Sequence, residues 1–187
     1  MQKQIRLAAP EDAKALLDIY APYVTGTAVT FEYAVPKAED FQDRIQATLE
    51  QFPWLICEVD GEIAGYAYAS PFHERAAYQW DAELSVYVSP SFHRQGVARA
   101  LYGKLLPILK RQGYYNLYAL VTLPNPASIG FHQSYGFETA GVYHGTGFKF
   151  GRWHDMTVLE KRLRDFSYDE APKTPVPYPK LEQAEIL

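Results

Sequence analysis

Apolar positions recur with two different periods along the chain, and the period sorts its segments into strands and helices. Ile5 to Leu7 reads as a short first strand. Pro10-Glu11-Asp12 supplies a helix start, with proline and acidic residues in the first turn. Ala13, Leu16, Leu17 and Tyr20 follow at helical spacing and predict a helix over residues 11–24. A Thr/Gly-rich break, Thr25 to Thr30, leads through Phe31-Glu32-Tyr33 to a second helix from Ala38 to Gln51, with Phe41, Ile45 and Leu49 on one face. Trp54–Val59 and Glu62–Ser70 are apolar strands joined by Asp60-Gly61, which is the chemistry of a tight hairpin.

Asp81 to Val88 is another strand, ending at Ser89-Pro90. Residues 95–112 predict a long amphipathic helix with Val97, Leu101, Leu105, Leu106 and Leu109 inward and Pro107 within it. Asn116–Thr122 reads as a strand and Ala127–Tyr135 as a short helix. Gly136 opens a strand pair around Gly145 to Arg152, and the last strand carries Met156, Val158 and Leu159. Beyond Leu163 the chain holds Pro172, Pro175, Pro177 and Pro179 among polar residues, which predicts an extended surface arm. One domain over residues 1–163 and a Pro-rich tail over 164–187 follow. Strands and helices alternate in the middle, whereas hairpin-linked strands lie at front and back. An α/β fold with a sheet of mixed direction fits that order better than a doubly wound one.

With 187 residues, 48% of them hydrophobic, the chain can bury one sizeable core. Charged residues at 21% and aromatics at 15% exclude wholesale disorder. The formal net charge of −4 argues against a broad phosphate-gripping surface, so no nucleic-acid partner is expected. A small anion could still be held by backbone N–H groups. Cys57 is the only cysteine, so no intramolecular disulfide can form. No run of apolar residues suits a membrane span or a secretory leader, and a cytoplasmic protein without a membrane partner is expected.

The most informative segment runs from Ser85 to Leu101, where an apolar strand enters a basic, glycine-containing turn that opens into the long helix. Backbone N–H groups at such a junction point outward, and the helix dipole adds partial positive charge, a recipe for holding a pyrophosphate. Gly96 removes the side chain where a ligand must approach, and Arg94 or Arg99 can add charge. An ordinary strand-to-helix turn would also use one glycine, so this segment alone leaves both readings open.

Its neighbours add to it. Gly96-x-Ala98 after Leu84–Val88, then Asn125-x-x-Ser128-x-x-x-His132-x-x-Tyr135-Gly136-Phe137, resembles the GNAT superfamily of N-acetyltransferases. Phe52–Leu55, Val59–Gly65, Ala77–Glu83 and Gly147–Asp155 resemble its phosphinothricin and methionine-sulfone acetyltransferase branch. The resemblance covers residues 5–163 and implies a mixed, centrally splayed sheet flanked by helices, with acetyl-CoA in the wedge. It implies that pantetheine pairs with the strand edge at Val86, Tyr87 and Val88, and that the pyrophosphate meets the N–H groups of Arg94, Gln95, Gly96, Val97, Ala98 and Arg99. Asn125 would bond the pantetheine arm from the other side, with Ser128 close by. The loop departs from the family pattern at His93, where Gln or Arg is usual, and at Ala98, where Gly is commonest.

Glu83 is the candidate general base, because the α-ammonium of an acceptor must lose a proton before it can attack a thioester, and a buried carboxylate can take it. A solvent-facing strand glutamate is the plain alternative. His132 stands where many superfamily members carry a tyrosine thought to protonate the departing thiolate, and an imidazolium could do so. Tyr135 is the other donor, although its place before Gly136-Phe137 suits packing. For the acceptor, Arg75 can fork a carboxylate or phosphinate, Tyr78 can add a hydroxyl contact, and Phe31 can wall the side-chain pocket. His73, His144 and His154 lack metal-ligand spacing, and Cys57 sits in an apolar strand, so neither a metal nor an acyl-enzyme is expected. The leading reading is direct, acetyl-CoA-dependent N-acetylation of the α-amine of a small amino-acid analogue: phosphinothricin, methionine sulfoximine or methionine sulfone. A polyamine or peptide N-terminus as acceptor is a second reading, and a non-catalytic acyl-CoA-binding module a third. The resemblance also implies a homodimer, with Phe148 to His154 contributing.

Overall fold

A computed structural model describes residues 2–181. The strands are β1 (Lys3–Leu7), β2 (Trp54–Val59), β3 (Glu62–Pro71), β4 (Asp81–Val88), β5 (Asn116–Thr122), β6 (Glu138–Lys149) and β7 (Arg152–Arg162). They form one seven-stranded sheet in the order β1-β2-β3-β4-β5-β7-β6. The helices are α1 (Ala13–Gly26), α2 (Ala38–Leu49), α3 (Val97–Gln112) and α4 (Pro126–Gln133). All neighbouring strands run antiparallel except β4 and β5, which are parallel and are connected by α3.

The parallel pair is short. Asp81 pairs with Asn116, Ala82 with Leu117 and Glu83 with Tyr118, and the ladder ends there. Beyond that point β4 stays on β3 as far as Val88 opposite Gly65, whereas β5 stays on β7 as far as Thr122 opposite Met156. The mixed sheet is therefore splayed at its centre, as the resemblance implied.

Alternation along β4 sends successive side chains to opposite faces. Leu84, Val86 and Val88 join the core beneath α3, which includes Leu101, Leu105 and Leu109. Tyr87 faces the other core with Trp54, Tyr66, Phe41 and the buried residues of α1. That second core is aromatic: Trp54 stacks on Tyr66 and Tyr68 at 5.7 and 4.0 Å, and Tyr87 meets the edge of Tyr20 at 4.8 Å. Such pairs contribute about 0.5–1.5 kcal/mol each beyond their buried area.

Helix boundaries differ from the predicted ones for local reasons. Residues 10–12 form a 3₁₀ turn, and α1 starts only at Ala13 and runs through Pro22 to Gly26. The Asp12 carboxylate holds that turn by accepting from Ala9 N–H at 2.8 Å and from the Arg6 guanidinium at 2.7 and 2.8 Å. Helix α3 starts at Val97 because Gly96 is left-handed, with φ 77°, and it continues through Pro107. The strands around Gly145 to Arg152 prove to be the ends of β6 and β7, and Met156, Val158 and Leu159 belong to β7.

The tail is laid against the domain. Val176 N–H donates to Gln112 O at 2.7 Å, Gln112 Nε2 returns a bond to Val176 O at 2.9 Å, and Tyr178 N–H donates to Gln51 O at 3.0 Å. Tyr178 is buried in the α3 core. The predicted tail extends to residue 187, and its last six positions lie outside the described residues. Among the described residues no helix is long and apolar enough to cross a membrane.

The Asp12 arrangement generates a stability prediction. Its hydrogen bonds with Arg6 hold the Asp12 carboxyl below its ordinary value. A folded-state pKa below the unfolded one contributes stability above the unfolded value, near 3.8, and loses it as pH falls through the folded value. Asp12→Ala should lower stability by about 1–3 kcal/mol at pH 7. Melting curves from neutral pH down to acid check it: the gap between wild type and variant should narrow on acidification.

Candidate active site

The parting of β4 and β5 opens a cleft of about 280 Å³. One wall is β4 from Glu83 to Tyr87, and the other is β5 from Ala119 to Thr122. Asn125, Ser128 and His132 close it at one end, and Tyr20, Thr30, Glu32, Arg44 and Tyr68 line it on the α1–α2 side.

Glu83 sits at the vertex, in the last paired position of the parallel ladder. Its side chain shares a face with Ser85 and Tyr87, toward the aromatic core. Burial pushes its carboxyl up, with no charge or hydrogen bond among the described residues pulling it back. A carboxylate held this way has raised basicity and a cleft in front of it, the combination a general base requires.

The turn after β4 supplies the other end. Arg94 and Gly96 both have positive φ, 61° and 77°, and between them the chain reverses into α3. The non-glycine Arg94 at positive φ is uncommon backbone, of a kind that concentrates at binding sites. Val97 is buried and pins the helix, whereas Arg94, Gly96 and Arg99 face solvent. The first N–H groups of α3 have no partners within the helix. A Cβ at Gly96 would stand 3.6 Å from the Lys3 ammonium, so β1 brings a further cation to this turn. Sequence reading missed Lys3 because it lies on a strand remote in sequence. His93 turns back instead of outward: its Nε2 lies 3.1 Å from Val88 O, which also accepts from Tyr23 Oη at 2.6 Å.

Asn125 caps α4, its Oδ1 accepting from Ser128 N–H at 3.1 Å. That leaves its NH₂ as the donor available to a ligand. His132, one turn further on, is buried, and its two nitrogens are engaged. Nδ1 lies 2.8 Å from Ser128 O, a carbonyl that can only accept, so Nδ1 carries the proton. Nε2 lies 3.0 Å from Tyr102 Oη, a hydroxyl that can donate or accept. Burial also pushes the His132 pKa down. Burial thus works against the imidazolium expected from sequence, and the ring ties α4 to Tyr102. Tyr135 is likewise engaged, donating to Arg99 O at 2.7 Å.

The three residues expected to hold the acceptor do not meet in this cleft. Arg75 and Tyr78 are exposed on the loop between β3 and β4, where Tyr78 packs edge-on to His73 at 4.7 Å. That loop is anchored by Phe72 stacked on Tyr118, the residue opposite Glu83 in the parallel ladder, and by Tyr115 N–H donating to Trp80 O at 2.9 Å. Phe31 wedges against the backbone of Gly147, where even a Cβ would run into its ring, and its neighbours Thr30 and Glu32 line the cleft in its place. The guanidinium in the cleft is that of Arg44, paired with Glu32 at 2.9 Å. Among the described residues no group of three His, Cys, Asp or Glu could hold a metal ion.

Comparison with known proteins agrees with this geometry. The acetyltransferase (GNAT) domain profile matches residues 5–158. A phosphinothricin N-acetyltransferase of Streptomyces viridochromogenes is 34% identical over 170 residues, 91% of this chain and 91% of that protein. An L-methionine sulfoximine/L-methionine sulfone acetyltransferase of Salmonella typhimurium is 30% identical, covering 89% of this chain and 98% of that one. The solved structure of a GNAT superfamily phosphinothricin acetyltransferase from Sinorhizobium meliloti in complex with acetyl-CoA superposes with a TM-score of 0.87. Its identity is 29%, over 95% of this chain and 99% of that one.

The burial of Glu83 has a measurable consequence for stability. A carboxyl whose folded pKa is raised carries no penalty below its unfolded value, near 4.5; the penalty grows with pH and is complete above the folded value. Glu83→Gln should therefore melt above wild type at pH 7, with the gain vanishing below about pH 4. Equal melting temperatures at pH 7 would mean a solvated carboxylate.

Proposed function

The chain belongs to the acetyltransferase (GNAT) domain family and is an N-acetyltransferase, and from that premise we propose that it acetylates the α-amine of a small amino-acid analogue, such as phosphinothricin, methionine sulfoximine or methionine sulfone. The donor is acetyl-CoA, and transfer is direct, within a ternary complex. The observation that carries this reading is Glu83: a buried carboxylate of raised pKa at the vertex of an open parallel ladder.

The residues present suit the donor. The edge of β4 beyond Glu83 is not paired with β5, so Val86, Tyr87 and Val88 can bond an extended pantetheine arm. The left-handed Gly96 lets a pyrophosphate approach the N–H groups of Arg94 to Arg99, with Lys3 adding charge. Asn125 and Ser128 face the arm from the opposite wall. Acetyl-CoA supplies an activated thioester. Glu83 takes the ammonium proton of the acceptor, directly or through a water, and the walls of the cleft hold amine and thioester in register. His132 fixes the position of α4.

A homodimer belongs to the same reading. Tyr33, Phe150 and Trp153 are 74%, 58% and 66% exposed around the β6–β7 hairpin, an apolar surface suited to a second copy. Sedimentation velocity should give a dimer at micromolar concentration; a monomer would remove this part.

Release of free CoA across an amine panel tests the main proposal. The amino-acid analogues should be turned over, and polyamines and peptide N-termini should not. Glu83→Gln should lower kcat by roughly 10²–10⁴-fold, with acetyl-CoA affinity nearly unchanged and the rate recovering as pH approaches the amine's own pKa. Turnover of polyamines alone would overturn the acceptor, and near wild-type kcat in the variant would overturn the base.

A further inference from the structure

We propose that residues 164–181 form a strap across the closed end of the cleft, with the Trp80 indole as its catch, and that the strap sets how far the two halves of the sheet can part. Through that opening it tunes the affinity for acetyl-CoA, a second step that rests on the seat for acetyl-CoA described above.

The sheet divides between β4 and β5. Strands β1 to β4 make one half and β5, β7 and β6 the other, and among the described residues the sheet pairing between them is the ladder from Asp81–Asn116 to Glu83–Tyr118. The α3 core holds residues of both halves together on one face, Leu84 from one and Leu117 and Leu159 from the other. A pairing this short is marginal by itself, so what borders it decides how far it frays.

The strap begins on one half and ends on the other. It leaves β7 beside Leu163, whose N–H donates to Tyr115 O at 2.8 Å, and Arg164 donates to Lys110 O on α3. It reaches the β4 half at Trp80, where Lys173 O accepts from the indole N–H at 2.9 Å. Trp80 directly precedes β4, and its own carbonyl accepts from Tyr115 N–H at 2.9 Å, so one residue joins the strap to the start of both ladder strands. Pro175 is then buried, and a Cβ on Gly113 would stand 3.5 Å from its Cα, so the strap lies on the turn between α3 and β5. Gln112, only 1% exposed, accepts from Val176 N–H through its backbone and donates to Val176 O and Gln51 O through its side chain. The Tyr178 N–H donates to Gln51 O, close before β2, and the tyrosine is buried in the α3 core. Pro172, Pro175, Pro177 and Pro179 restrict the undocked chain, which lowers the entropy lost in laying it down.

A ligand held by β4 on one side and Asn125 on the other is gripped by both halves of the sheet. Its apparent affinity scales with the fraction of molecules whose halves already stand at the right spacing. The strap acts at the paired end and the ligand at the open end of the same hinge.

Amide exchange of the ligand-free protein and calorimetric titration with acetyl-CoA test the proposal, on wild type, Trp80→Phe and a chain ending at Asp165. Trp80→Phe keeps an aromatic ring and removes the N–H that holds Lys173 O. It should speed exchange of residues 82–84 and 117–119 by about three- to tenfold and raise Kd for acetyl-CoA by about two- to fivefold, with larger changes in the shortened chain. The shortened chain also loses Tyr178 from the core, so the full-length variant decides if that chain does not fold. Faster exchange confined to the strap and its direct partners, with the ladder unchanged, would overturn the proposal and leave the segment a surface covering. Faster ladder exchange with an unchanged Kd would overturn the link to acetyl-CoA. A wild-type protein that does not bind acetyl-CoA would overturn the seat instead, on which exchange in the ligand-free protein does not depend.

Discussion

Everything in this molecule that bears on chemistry follows from a parallel ladder that stops. Strands β4 and β5 share only three residue pairs before they diverge, and each is then held by an antiparallel neighbour on its outer side. Backbone groups on the inner edges are left to find other partners, because unpaired N–H and C=O groups away from water are costly. Val88 O accepts from Tyr23 Oη; the rest of the β4 edge faces the cleft. An extended amide-bearing ligand would complete the ladder. The two cores hold the strands apart: α3 with its leucines packs one face, and the stacked Trp54, Tyr66 and Tyr68 pack the other.

The same burial that stabilises the sheet tunes its titrating groups. Desolvation disfavours whichever form is charged, so it raises Glu83 and lowers His132. The outcome is a carboxylate more willing to take a proton and a histidine less willing to hold one. Glu83 lines the cleft with no hydrogen-bond partner among the described residues, whereas both His132 nitrogens are engaged with Tyr102 and Ser128. The aromatic floor on the α1–α2 side thus serves packing and electrostatics together.

Much of this was legible in the sequence, and the failures share a cause. The strand Asp81–Val88 and the Asp60-Gly61 hairpin follow from short-range pattern, and the structure keeps their limits to within a residue. The Ser85–Leu101 segment shows its strand, turn and helix in one continuous stretch. The α1–α2 wall of the cleft is different: Glu32 lies in a loop and Arg44 beside a buried helix stripe, and each alone reads as a solvated charge. Only the packing of α2 against the sheet brings them to the cleft that Glu83 also lines. Arg75 stands near Glu83 in sequence and is exposed on the loop between β3 and β4, outside the lining of the cleft. The surroundings of His132 were hidden too, since they depend on Tyr102 and the burial of both residues. The docking of the tail runs through the carbonyls of Gln51 and Gln112 and the side chains of Gln112 and Trp80, all remote from it in sequence.

The central claim is that the parted ladder is the seat of acetyl-CoA. Amide hydrogen exchange with and without acetyl-CoA tests it most directly, because it reads the backbone groups themselves. Protection should rise at Val86–Val88 and at Arg94–Arg99 on addition of acetyl-CoA, and the amides of β1 and β2 should not change. Unchanged exchange along β4 and its turn, under conditions where acetyl-CoA binds, would contradict the account.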